Sequence, residues 1–162
     1  MTDYARLKAL ILAWYDGQVP PENGDIKFGE NVHWFKSQEG ANASDVIEDW
    51  YFNEEPKWNY QEPRVTPETQ EFSQMTWNST AHFGCGQAVS EGTKGGTYTV
   101  CYYDPPGNVV GQEKQNVFEP SYNNVGGETS GGGTGTSAPS PGLLRAFISA
   151  QRGITPSLKF QL

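Results

Sequence analysis

Basic residues are scarce in this chain: eleven Lys and Arg stand against nineteen Asp and Glu among 162 residues, a formal charge of −8. The lack of a basic patch to neutralise phosphates argues against nucleic acid and against electrostatic docking on anionic lipid. No apolar run reaches the ~18 residues of a membrane-spanning helix, so no membrane span is expected. Cysteine is limited to Cys85 and Cys101, and histidine to His33 and His82, which lack the spacing of a metal pair. A chain of this length is the size of one domain and buries enough surface to do without many staples. Ser73, Ser79 and Thr80 have no histidine paired with them in sequence, so a nucleophilic triad finds no support.

What is present is one core's worth of apolar pattern followed by a long polar tail. Leu7, Leu10, Ile11 and Trp14 recur at helical spacing, predicting a helix over 3–16 with those side chains buried. The segment lacks a basic start and a small-residue cleavage site, so it reads as a helix rather than an export signal. A second helix is predicted from Ser44, as N-cap, to about Glu55, with Val46, Ile47, Trp50 and Tyr51 as its buried stripe and Pro56 as its stop. Strands are predicted over 72–78, 83–90 and 97–103. The last two form a hairpin, with Glu91 to Gly96 supplying turn chemistry between a Gly-Cys-Gly run and a β-branched and aromatic run. Folding the chain back about Thr93 sets Cys85 opposite Cys101, close enough for a disulfide. Asp104-Pro-Pro-Gly-Asn108 reads as a rigid turn leaving that hairpin. From Gly126 to Gly142 the composition is that of a flexible tether. Beyond it, Leu143, Leu144, Phe147 and Ile148 suffice for a short amphipathic turn, read either as part of a disordered extension or as a docking peptide.

Four motifs together carry a resemblance. Glu71-Phe-Ser-Gln-Met-Thr-Trp-Asn-Ser79 and Tyr98 to Val109 resemble the two signatures of the CAP superfamily of cysteine-rich secretory, antigen 5 and pathogenesis-related class 1 proteins. Gly29-Glu-Asn31 resembles its Gly-Glu-Asn motif, and Trp50-Tyr51 with Trp58-Asn-Tyr60 its aromatic helix. The resemblance implies an α+β fold, a three-layer α-β-α sandwich with a small antiparallel sheet. The change of composition after Asn124 divides the chain into a domain over 1–124, a linker over 125–142 and a tail over 143–162, disordered or a short helix. The resemblance also implies secretion to the extracellular space and a native disulfide between Cys85 and Cys101.

The resembled family has a cleft of two His and two Glu that holds a divalent metal in some members, and this chain departs from it. Glu30 keeps one acid, and Glu71 stands where a histidine is expected. The helical acid is Asn53 counted from Trp50 and Glu54 counted back from Trp58; Glu54 is favoured. The expected cleft therefore holds Glu30, Glu54 and Glu71, with His33 close by. Carboxylates without nitrogen or sulfur donors suit a hard cation such as calcium or magnesium rather than zinc, and no cofactor is assigned. The function implied is a secreted binding or signalling module without its own catalysis, for a hydrophobic small molecule or a protein partner, as in lipid or sterol binding, defence or allergen-like activity. The alternative is a metal-dependent hydrolase using Glu30 with Glu54 or Glu71.

Overall fold

The computed structural model of the protein describes residues 1–18 and 27–120. In chain order these form α1 (Thr2–Trp14), β1 (Gly29–Phe35), α2 (Ala43–Ile47) running into a π-helical stretch Glu48–Phe52, a 3-10 turn Glu55–Lys57, α3 (Gln70–Thr76), β2 (His82–Val89), β3 (Thr97–Asp104) and a 3-10 turn Glu113–Gln115. The sheet order is β1-β3-β2, antiparallel throughout, and the central β3 is buried from Thr97 to Tyr103.

The register sorts the side chains by parity. Asn31 pairs with Cys101 and Glu30 with Tyr102, while Cys85 pairs with Cys101 and Gly84 with Tyr102. Because successive strand residues point to opposite faces, even-numbered residues of all three strands share one face and odd-numbered residues the other. The even face carries Ala88, Tyr98, Val100 and Tyr102 and packs on Ala5, Ala9, Leu12 and Ala13 of α1. The odd face carries Cys101 and Tyr103 and packs on Val46, Trp50 and Met75, from α2, its π-helical continuation and α3. A third cluster joins Phe72 and Trp77 to Trp58 and Val117. Helices on both faces of the sheet make the three layers.

Two expectations are corrected here. Residues 72–78 are not a strand: Phe72 and Met75, three apart, face two different cores from one helix, and the third strand is β1. The alternation that marks β1 is carried by mixed residue types, with Asn31 and His33 buried and Glu30 and Val32 more exposed. The second correction concerns α1, which forms as expected but buries the other side. Ala5, Ala9, Leu12 and Ala13 face the sheet, and Leu7, Leu10 and Trp14 stand outside. The reason lies in β2. A Cβ on Gly86 would sit 2.3 Å from the Arg6 nitrogen, and one on Gly84 2.6 Å from the Thr2 nitrogen. The helix backbone at Thr2 and Arg6 rests on a glycine floor, and this close seating turns the side that carries Ala5, Ala9, Leu12 and Ala13 into the sheet.

Smaller shifts follow the same local chemistry. The N-cap of α2 is Asn42 rather than Ser44, and it forms a capping box with Asp45. Cys85 and Cys101 are bonded across the hairpin with Cα atoms 4.1 Å apart. The boundary at 124/125, the linker and the tail lie outside the described residues.

Candidate functional site

The N-terminal end of α3 gathers contacts from three other parts of the chain. Glu54 reaches it from the turn after the π-helical stretch, and its carboxylate accepts the Phe72 backbone N–H at 2.9 Å. From β1, Asn31 donates to the Glu71 carbonyl at 2.9 Å. Within α3, Gln70 donates to the Glu71 carboxylate at 3.1 Å. The exit turn of β3 closes the other side: Asn108 donates to the Gln70 carbonyl at 2.9 Å and accepts the Ser73 hydroxyl at 2.6 Å, and the Gly107 N–H donates to the Gln74 side chain at 2.9 Å. Gly107 serves here by close approach, since a Cβ on it would meet Trp77 at 2.8 Å, while Asn108 takes the left-handed backbone at φ 57°.

Glu54 and Glu71 therefore face each other as a half-buried pair. Burial, together with the hydrogen bond and negative charge of Glu71, pushes the Glu54 carboxyl up to about 7, against the opposing pull of the Phe72 N–H and the Lys57 ammonium. With its carboxyl at about 7, Glu54 is protonated in about half of the molecules at neutral pH, and in that form it offers a donor and an acceptor beside Glu71. Aromatic rings form the adjoining edge: Tyr51 lies 5.4 Å from Phe72 and 5.2 Å from Phe52, and Phe52 is 58% exposed.

Three consecutive side chains separate cleanly at this point. Asn53 turns back to Asp49 at 3.0 Å, Glu54 reaches α3, and Glu55 accepts the Tyr60 hydroxyl at 2.8 Å. Burial and the Glu55 carboxylate raise the Tyr60 hydroxyl well above the usual phenol range.

Glu30 and His33 lie elsewhere. Glu30 is even-numbered and points to the α1 layer, where its carboxylate stands 3.9 Å from the Lys8 ammonium, on the opposite face of the sheet from Glu54 and Glu71. His33 is on the odd face but buried, with its Nε2 2.6 Å from Asp49 and its ring edge-on to Trp50. The grouping of Glu30 and His33 with the two other carboxylates is thus corrected: pleat parity takes one away and Asp49 holds the other. Asp49 was missed in the sequence, although its position three residues after the buried Val46 puts it on the inner side of the helix. Among the described residues no group of three or more His, Cys, Asp or Glu side chains is arranged to hold a metal ion. The pair with no imidazole beside it does not fit the zinc site that the resemblance implies.

An antiparallel sheet between two helical layers, bridged across its hairpin by a cystine and bearing a carboxyl pair where α3 begins, defines an α-β-α sandwich domain. The family model described as "CAP: Cysteine-rich secretory protein family" matches residues 5–103, and the chain belongs to that family. It is 32% identical to the Golgi-associated plant pathogenesis-related protein 1 of Homo sapiens over 62% of this chain and 63% of that protein. It is 31% identical to pathogenesis-related protein PR-1 of Medicago truncatula over 61% of this chain and 59% of that one. Among solved structures, BmVAL-1 matches with a TM-score of 0.50 at 27% identity, covering 67% of this chain and 57% of that one. The chain spans less than two thirds of the length of these curated relatives.

Proposed function

We propose that the protein is an extracellular binding or signalling module of the pathogenesis-related type that works by holding a ligand or partner and does not turn over a substrate. The observation that carries this reading is the separation of the acidic residues. Glu54 and Glu71 meet at the start of α3, while Glu30 is tied toward α1 and His33 toward Asp49. A hydrolytic site needs a metal or a base within reach of a nucleophile. Here the Ser73 hydroxyl is already bonded to Asn108 and Gln70, and the Thr69 hydroxyl to Thr66. An apolar molecule or partner surface suits the aromatic edge of Tyr51 and Phe52, with the carboxyl pair recognising its polar end. The secretory description of the matching family supports the location. Among the described residues no helix is long and apolar enough to cross a membrane.

Calorimetry with zinc, calcium and magnesium, run beside sterol and fatty-acid binding assays and a peptidase and esterase panel, tests the reading. Saturable apolar-ligand binding weakened by Glu71→Gln, with no turnover and no submicromolar zinc affinity, is expected. Turnover abolished by Glu54→Gln or Glu71→Gln in a folded variant would replace the module with the metal-dependent hydrolase.

A further inference from the structure

The outer side of α1 is apolar and open. Tyr4, Leu7, Leu10 and Trp14 are 67%, 55%, 50% and 84% exposed, and their spacing sets them in one stripe opposite the buried Ala5, Ala9 and Leu12. At these exposures the two aromatics, of ~150–250 Å² each, and the two leucines present roughly 500 Å² of apolar surface. That is at the upper end of the ~300–600 Å² found for the largest patch on a monomer, the size at which such patches mark an interaction face.

We propose that this stripe is the docking face for a segment of the same chain, Leu143-Leu-Arg-Ala-Phe-Ile148, which lies outside the described residues. Leu143, Leu144, Phe147 and Ile148 repeat at i, i+1, i+4 and i+5, one apolar face in helical register. Residues 121–142 join it to the domain, and a Gly-rich connection of that length has an end-to-end distance of about 25 Å. A domain of this size has a radius of gyration of about 14 Å, so the segment reaches the far layer.

Charge favours the same contact. Beyond Glu128 the chain has Arg145, Arg152 and Lys159 and no Asp or Glu, whereas residues 1–128 hold 8 basic against 19 acidic residues, a difference of −11. Asp3 in the first turn of α1 places a carboxylate at one end of the stripe.

Area argues against a second copy as the occupant. Two stripes face to face bury about 1,000 Å², short of the ~1,200–2,000 Å² of stable interfaces. A tethered segment needs less, because its effective concentration is in the millimolar range.

The full chain carrying Leu144→Asp and Phe147→Asp tests this, with acrylamide quenching of Trp14 obtained by difference from the same chains carrying Trp14→Phe. Leu7→Asp provides the test from the other side, read as the rate of tryptic cleavage after Arg145. Quenching of Trp14 should rise at least twofold in the double variant, and cleavage should quicken by a similar factor in Leu7→Asp. Equal quenching in dilute full chain and double variant overturns the proposal. So does shielding of Trp14 that grows with protein concentration alongside a doubled mass in light scattering, which would give the stripe to a second copy.

Discussion

The two faces of the sheet are packed on different principles. On the even face, the α1 backbone at Thr2 and Arg6 lies on Gly84 and Gly86 of β2, alanines fill the adjoining core, and the Lys8–Glu30 ion pair is long at 3.9 Å. On the odd face large aromatics share the interior with Asn31, His33 and Gln74, each buried and each tied to a second element. The first arrangement seats a helix largely by shape, with Ser90 bonding the Ala13 carbonyl and Asp16 at its C-terminal end. The second fixes its helices partly by directional bonds, and at the edge where those bonds run out it presents the Glu54–Glu71 pair. The carboxyl pair belongs to the second face, where side chains from β1, the turn after the π-helical stretch and α3 converge.

The largest expected effect comes from spoiling the shape-determined face. Gly86→Val would drive a side chain into the Arg6 backbone, which cannot give way without lifting α1. A loss of about 3 kcal/mol or more is expected, seen as a melting temperature lowered by more than ~10 °C. A loss under ~1 kcal/mol would mean that close approach does not hold the helix and that the two faces are less unlike than argued.

A smaller effect tests the polar face through pH. The folded carboxyl of Glu54 sits at about 7 against 4.5 in a free chain. Below 4.5 the group is protonated whether the chain is folded or not, and its contribution to stability is fully present. Between 4.5 and about 7 the unfolded chain ionises first, so that contribution is lost as pH rises. Glu54→Gln keeps an acceptor for the Phe72 N–H and removes the titration. Its melting temperature should decline less than that of the parent over this window. The partial exposure of the group keeps the effect modest through solvent screening. Parallel curves for parent and variant would place the retained proton elsewhere.

The smallest effect should come from Glu30→Gln. A 3.9 Å pair near the surface contributes under ~1 kcal/mol. The variant should also leave ligand binding unchanged where Glu71→Gln alters it. Equal effects of the two on binding would return Glu30 to the cleft and contradict the parity of the sheet.

The hairpin was legible because each of its signals is local: turn residues between two β-prone runs fix a register, and the register sets Cys85 against Cys101. The family was legible from four motifs in order. The third strand was not, since Gly29–Phe35 alternates buried amide and imidazole with exposed carboxylate and valine, a pattern that hydrophobicity alone does not mark. The inner side of α1 was misread for a related reason. Apolar periodicity finds the greasiest side of a helix, and here space rather than greasiness selects the buried one.

The sequence by itself determined the helix over Thr2–Trp14, the bridged hairpin, the acidic surface and the presence of a carboxylate at 30, 54 and 71. Tertiary structure alone decided which of those carboxylates meet. Glu30 and Asn31 are neighbours in the chain, yet the pleat sends one to Lys8 of α1 and the other to the start of α3. Glu54 and Glu71 are seventeen positions apart, and they meet because the turn after the π-helical stretch brings a carboxylate onto the Phe72 N–H. Sidedness in a sheet and convergence of distant segments are properties of register and packing, and neither is written in the residue types of any one segment.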